Sequence, residues 1–308
     1  MKVLVTSNSF GKYSQEPKKI LERYGLEVVL NPYHRMMTEE ELIGQIKDAD
    51  AVILSTEIMN KTVIDAAPKL KVISRYGVGT DNIDKDYCRE KGIKVTIAKN
   101  ANSNAVAEFA VTLMLAALKG VCTSNGYAKQ GLWKKVEGMD LSGKTIGIIG
   151  LGTIGKKVAQ KLSSFDVNLI AHDIYYDEAF VKNYNIKKMN FEDVIKQSDI
   201  ITLHVPSLNT KPLLSYKEFG EMKQDVIIIN TARATLLDND ALIEYLDKKK
   251  IFAVGLDVHP DEPHFDKRLF KYENVILTPH NAAVSRGAID QVSMMAVKNI
   301  IESLKLEK

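Results

Sequence analysis

Between positions 144 and 173 the chain runs in one order: apolar strand, glycine turn, amphipathic helix, second apolar strand, acid. Residues 145–149 read as a buried strand, and the turn is Gly150-Leu151-Gly152-Thr153-Ile154-Gly155. Ile154, Val158, Leu162 and Phe165 then recur at helical spacing, Val167 to Ala171 reads as the next strand, and Asp173 follows. The first two glycines let the backbone turn tightly and approach a pyrophosphate. Thr153 and Ile154 open a helix whose N-terminal N–H groups lack intrahelical acceptors, and Gly155 lets helix and strand pack closely. Asp173 stands where a carboxylate accepts hydrogen bonds from an adenosine ribose. Glycine turns alone occur in α/β proteins that bind nothing. The complete strand–turn–helix–strand–acid order makes a bound dinucleotide the expectation.

A chain of 308 residues exceeds what one hydrophobic core usually supports, so two domains are expected. A net charge of +3 gives no argument for nucleic acid, and the runs Lys187-Lys188 and Lys248-Lys249-Lys250 are expected in solvated turns. Cys88 and Cys122 form no metal-ligand spacing; no metal is expected, both are expected as small buried hydrophobes, and their use fits a reducing compartment. The N-terminus enters a strand with no signal segment, and the most apolar stretch, 109–118, is shorter than the roughly 20 residues of a membrane span. A cytoplasmic protein without membrane partners is expected.

From Met1 to about Lys99, β-rich runs (3–5, 27–30, 51–54, 71–74 and 94–98) alternate with helical patterns at 39–46 and 61–67. Such alternation implies parallel strands joined by helical crossovers. A helix is expected over 105–118, further βα alternation to about Ala282, and one closing helix over 287–304. The expected class is α/β, with two doubly wound parallel-sheet domains: a flavodoxin-like one and a Rossmann one.

Ligands of open α/β sheets bind beyond the carboxyl ends of the strands. In the second half, residues 200–203 lead into His204-Val205-Pro206, 226–229 into Asn230-Thr231-Ala232-Arg233, 253–256 into Asp257, and 275–277 into Thr278-Pro279-His280. Arg233, Asp257 and His280 are thus expected at the nicotinamide end of the cofactor, with Glu262 close in sequence. His204, Val205, Pro206, Thr231 and Ala232 are expected to shape the cofactor pocket, the His204 imidazole itself being structural. Hydride transfer to a 2-oxo acid requires a cation for the carboxylate, a proton donor for the alkoxide, and a group that keeps the donor protonated. A guanidinium clamps a carboxylate, an imidazolium titrates near neutrality, and a neighbouring carboxylate raises its pKa. Singly, an arginine or histidine after a strand is more often a surface or packing residue; their convergence is the signal.

With these residues in hand, the chain resembles the D-isomer-specific 2-hydroxyacid dehydrogenases over essentially its whole length. The resemblance rests on Arg75-Tyr76-Gly77-Val78-Gly79-Thr80-Asp81-Asn82-Ile83-Asp84, the segment 101–108, the glycine turn, Leu203 to Pro206, Asn230 to Arg233, Leu256 to Val258 through Glu262-Pro263, and Thr278-Pro279-His280. It implies a discontinuous substrate domain, 1–99 plus 284–308, an NAD-binding domain over 100–283, and an active site in the cleft between them. By that likeness His280 is the general acid/base, Glu262 its partner and Arg233 the binder of carboxylate and carbonyl. Val78 and Gly79 complete the carboxylate pocket through their N–H groups, with Arg75 and Tyr76 beside them. Asp173 selects NAD over NADP, since a 2′-phosphate would meet its charge. The likeness also implies a homodimer with an arm around 105–135.

Two departures stand out: Ala234-Thr235 follows Arg233 where glycine is common, and Tyr76 replaces a small residue, which could narrow the pocket or add a hydroxyl. The end at Lys308 leads to the expectation of no regulatory extension. D-3-phosphoglycerate/3-phosphohydroxypyruvate is the leading substrate pair, with Arg75 as the nearest cation for a phosphate. A glyoxylate/hydroxypyruvate or D-lactate type reductase is the alternative, and outside enzymes, an NAD-sensing corepressor-like binding protein.

Overall fold

Short β-branched runs separated by helical crossovers form two wholly parallel sheets in the computed structural model, which describes residues 1–207 and 211–306. Backbone packing divides the chain into two units, one made of Met1–Asn102 with the segment from Val284 onward, the other of Ser103–Ala283. The first unit carries β1 (Lys2–Val5), β2 (Glu27–Leu30), β3 (Ala51–Leu54), β4 (Val72–Arg75) and β5 (Lys94–Ile97), in the order β2-β1-β3-β4-β5. That is the flavodoxin-like order. Every residue of β3 is fully buried, as the continuous apolar reading of a central parallel strand requires.

The closing helix, Arg286–Leu304, belongs to this first unit. Ala296, Val297 and Ile300 enter one core with Val3, Val5 and Leu21. Val297 and Ile300 are at most 1% exposed, and burial of such side chains contributes about 1.5–3 kcal/mol each. The polar ties, Ser74 Oγ to the Ala296 carbonyl at 3.0 Å and Asn299 Nδ2 to the Ile97 carbonyl at 2.9 Å, therefore set register more than affinity.

The second unit carries β6 (Thr145–Ile149), β7 (Asn168–His172), β8 (Lys187–Lys188), β9 (Ile200–Leu203), β10 (Val226–Asn230), β11 (Ile251–Leu256) and β12 (Val275–Leu277). Their order is β12-β11-β10-β9-β6-β7-β8, the Rossmann order extended by one strand. β6 lies between β7 and β9, so the crossovers diverge at its carboxyl end, and this is where the glycine turn sits. Lys187-Lys188, expected in a turn, forms the edge strand β8. Two exposed lysines suit an edge because their charges oppose pairing with another sheet.

The helix Ser103–Lys119 is mostly buried, with Ala107, Ala110, Leu113, Met114 and Leu118 in the core of the second unit. The arm expected over 105–135 is therefore divided: its first half is core, whereas the helix Val121–Lys129 buries no residue and Trp133 is 98% exposed. Cys88 is buried but Cys122 is exposed, so the expectation of two buried cysteines fails at Cys122, which falls on that outer helix. No single described helix is long and apolar enough to cross a membrane.

Candidate active site

At the carboxyl end of β6, Gly150 adopts φ +95°, a conformation that side chains rarely tolerate. A Cβ there would also lie 2.6 Å from the His204 carbonyl oxygen and 2.7 Å from Val205 Cγ1. The turn and the His204–Pro206 loop are thus packed backbone to backbone. A Cβ on Gly155 would meet the Gly150 carbonyl oxygen at 2.0 Å, so helix and strand approach as closely as the glycine pattern requires. Where a Cβ at Gly152 would stand there is open space, and Gly152 begins the helix Thr153–Leu162 without any side-chain cap.

That space opens into a pocket of about 480 Å³ lined by Leu151, Gly152, Thr153, Lys156, Lys157, Asp173, Tyr175 and Asp177. Uncapped N–H groups and the positive end of the helix dipole face it. Asp173, at the end of β7, accepts the Leu151 N–H through Oδ2 at 2.5 Å and the Tyr175 N–H through Oδ1 at 3.2 Å. Each oxygen keeps a lone pair for a ribose hydroxyl, so the carboxylate is oriented before any ligand arrives. Lys156 reaches Asp177 at 2.7 Å. An anion cradle, a fixed acid beyond it and room between them fit the adenosine diphosphate part of a dinucleotide. Lys156, Lys157, Tyr175 and Asp177 were not singled out from sequence; they come to the pocket by helical phase and loop path.

Further along the sheet, Asn230 ends β10 fully buried. Its Oδ1 accepts the Ala232 N–H at 3.0 Å and its Nδ2 donates to the Arg233 carbonyl at 2.8 Å, folding Thr231-Ala232-Arg233 around itself. Arg233 Nη1 donates to the Ala232 carbonyl at 2.7 Å. The following Ala234–Leu236 forms a 3-10 turn, so the non-glycine sequence there is accommodated as a tight helical turn. Thr231 is 8% exposed and its Oγ1 is buried without a partner among the described residues. A buried hydroxyl without a partner in a ligand-binding loop is a natural contact for a polar cofactor group.

His280 follows β12 with φ +52°, in the sparsely populated left-handed region. The backbone is held there by Asp257, whose Oδ1 accepts the Asn281 N–H at 2.7 Å and the Thr278 hydroxyl at 2.6 Å, while Oδ2 accepts the Ala282 N–H at 2.8 Å. Asp257 is fully buried. Sequence points to Asp257 as a cofactor contact; within the chain its oxygens brace the loop that carries His280, a carboxylate buried among three donors.

The ring of His280 projects outward, its side chain 50% exposed, with Nδ1 2.8 Å from Glu262 Oε2. The hydrogen bond and charge of Glu262 raise the histidine pKa, against partial burial and the nearby positive charge of Arg233. Burial works to raise the Glu262 pKa, but hydrogen bonds from His280 and from the His259 N–H outweigh it and hold the carboxyl below its usual range. The His259 bond to Glu262 Oε1 is 3.0 Å, and His259 Nε2 lies 2.9 Å from the Thr278 carbonyl. That oxygen can only accept, so Nε2 carries the hydrogen. His259, from which sequence drew nothing, thus orients the Glu262 carboxylate. With Nδ1 given to Glu262, Nε2 of His280 is the nitrogen left for proton exchange.

His204 takes the structural part: Nε2 lies 2.9 Å from Thr202 Oγ1, and burial pushes the ring down to about 4, so it is neutral. In the first unit, the loop after β4 is built on Arg75, whose Nε donates to the Gly79 carbonyl at 2.8 Å and whose Nη1 donates to the Tyr76 carbonyl at 2.6 Å. The Tyr76 hydroxyl lies 2.8 Å from Ser293 Oγ and donates to the Ile289 carbonyl at 3.2 Å, tying this loop to the closing helix. Among the described residues no group of three or more His, Cys, Asp or Glu could hold a metal ion.

Fold and site together define a dinucleotide-binding α/β protein with a hydrogen-bonded histidine–carboxylate pair beyond the ends of its strands. Residues 111–282 match the family described as D-isomer specific 2-hydroxyacid dehydrogenase, NAD binding domain. The chain belongs to that family, and the match falls within its second unit. It is 38% identical over 313 residues to D-3-phosphoglycerate dehydrogenase of Methanocaldococcus jannaschii, covering 100% of this chain and 58% of that protein. The chain thus spans little more than half the length of that relative. It is 34% identical to hydroxypyruvate reductase of Thermotoga maritima, covering 92% of this chain and 96% of the relative. Among solved structures, the TT0316 protein of Thermus thermophilus superimposes with a TM-score of 0.90 at 32% identity, covering 99% of this chain and 97% of that one.

Proposed function

We propose that this chain transfers a hydride between NAD(H) and a D-2-hydroxy acid or its 2-oxo acid. The observation that carries the reading is the His280–Glu262 pair at 2.8 Å, with Arg233 close enough to oppose its protonation. Bound NADH supplies the hydride for carbonyl reduction, and NAD accepts one in the reverse direction. His280 Nε2 donates a proton to the oxygen on which negative charge develops, and withdraws it from the hydroxyl in oxidation. Glu262 keeps the imidazole in one tautomer and stabilises its charged form. The Arg233 guanidinium holds the substrate carboxylate and polarises the adjacent carbonyl. The cofactor would rest on Gly152 to Gly155, with Asp173 taking ribose hydroxyls and Thr231 Oγ1 a polar group at the other end. On the first unit, the substrate domain of this reading, the N–H groups of Val78 and Gly79 bind the carboxylate.

D-3-phosphoglycerate is the substrate supported by likeness to the Methanocaldococcus jannaschii enzyme. A second reading, hydroxypyruvate or glyoxylate, is favoured by Arg75: its bonds to loop carbonyls draw it away from service as a phosphate ligand. The exposed helix Val121–Lys129 and Trp133 support a homodimer formed through this outer segment. Two free thiols suit a cytoplasmic location. The test is oxidation of NADH and NADPH by purified protein against pyruvate, glyoxylate, hydroxypyruvate and phosphohydroxypyruvate. Turnover restricted to NADH and one of these acids supports the reading and names the substrate; silence across the panel sinks it and favours a binding protein.

A further inference from the structure

The loop after β4 presents two backbone N–H groups that donate to no described residue, those of Val78 and Gly79. A peptide is planar and trans, so its N–H points opposite its C=O. The Gly77 carbonyl accepts the buried Ala98 N–H at 2.8 Å, which turns the Val78 N–H away from the core. The carbonyls on either side of this pair, Tyr76 and Gly79, both converge on one guanidinium at 2.6 and 2.8 Å. Arg75 Nη1 also lies 3.5 Å from the Leu54 carbonyl, which anchors the guanidinium to the end of β3. An N–H directed outward in this manner, followed at once by the undonated N–H of Gly79, is the start of an anion-binding concavity, and one whose flanking carbonyls are clamped does not have to reorganise on binding.

We propose that Arg75 is a positioning residue for substrate recognition: its planar fork clamps the Tyr76 and Gly79 carbonyls, and so presets the Val78 and Gly79 N–H groups for the carboxylate common to every 2-oxo acid. The inference rests on the oxidoreductase reading above. It differs from a phosphate-binding Arg75 in one respect. A clamp acts on all 2-oxo acids alike, whereas a phosphate ligand acts on phosphorylated ones alone.

The experiment compares wild type with Arg75→Ala and Arg75→Lys, measuring kcat and KM for pyruvate, hydroxypyruvate and phosphohydroxypyruvate, KM for NADH, and Tm. Expected for Arg75→Ala is a KM rise of at least tenfold for every acid that the wild type reduces. NADH KM should be unchanged, kcat reduced by less than threefold, and acid KM partly restored by millimolar guanidinium. Arg75→Lys, which reaches one carbonyl at a time, should fall between; it also serves as the deciding variant if Arg75→Ala does not fold. A loss confined to phosphohydroxypyruvate overturns the clamp in favour of direct phosphate contact. A parallel loss of Tm, NADH binding and kcat without a selective rise in acid KM overturns it in favour of a general structural role. Silence of the wild type itself overturns the oxidoreductase reading, an outcome distinct from either.

Discussion

Asp257 holds Asn281 by its peptide nitrogen: Oδ1 accepts that N–H at 2.7 Å, one residue beyond the strained His280. With the Ala282 N–H and the Thr278 hydroxyl on the same carboxylate, the loop carrying His280 is fastened on both sides. A buried charge that accepts three bonds is a rigid mount, and the left-handed backbone at His280 persists because the mount over-determines it.

Replacing that mount should affect stability and catalysis together. Asp257→Ala leaves the buried Ala282 N–H and the half-buried Asn281 N–H without their acceptor and the Thr278 hydroxyl with only the Leu256 carbonyl, which costs about 3 kcal/mol of unfolding free energy. Urea denaturation should show this loss, and kcat should fall at least tenfold because His280 is released. Wild-type stability in the variant would remove Asp257 from this role.

The pH dependence should follow Glu262. Reduction requires protonated His280, so its rate declines as pH rises through the histidine pKa, which Glu262 raises. Glu262→Gln removes the negative charge and lowers that pKa, so the declining limb of reduction moves to lower pH. The rising limb of oxidation, which requires neutral His280, moves the same way. Unchanged kcat/KM profiles in both directions would show that the pair is uncoupled.

Arg233→Lys should reduce kcat/KM by about a hundredfold, since a single ammonium cannot reproduce two parallel bonds to a carboxylate. Steady-state kinetics decide the matter, and near wild-type turnover would reassign the residue.

At the cofactor pocket, Asp173→Ser removes the charge that a 2′-phosphate would meet. NADH KM should rise about tenfold and NADPH become a usable reductant. A variant still blind to NADPH would place the discrimination elsewhere, with Asp177 the next candidate on the pocket wall.

Gly155→Ala tests the closeness of helix and strand. A methyl 2.0 Å from the Gly150 carbonyl oxygen must push the helix outward, with a stability loss of about 1–3 kcal/mol and weakened NADH binding. Titration of NADH fluorescence together with thermal melting measures both, and a neutral result would show that the turn relaxes freely.

What the sequence by itself determined is what depends on neighbours along the chain. The glycine turn and Asp173 were legible because strand, turn and helix geometry are set by local spacing, and the two sheets followed from the alternation of β-rich and helical runs. That Arg233 and His280 follow strands closely was legible because strand ends are set by local alternation. The tertiary structure alone decided which of those polar residues face outward. Asp257 and His280 both follow strands, but one is fully buried and the other half-exposed, and only the packing of residues 24 apart distinguishes a bracing carboxylate from an outward-facing imidazole. His259 gained its role from a turn that returns to Glu262, and the Tyr76 hydroxyl found Ser293 across 217 positions. Arg75 was drawn inward because three carbonyls converge where its fork reaches. Such pairings arise when buried polar groups must find partners after the chain has closed, and linear spacing carries no record of that search.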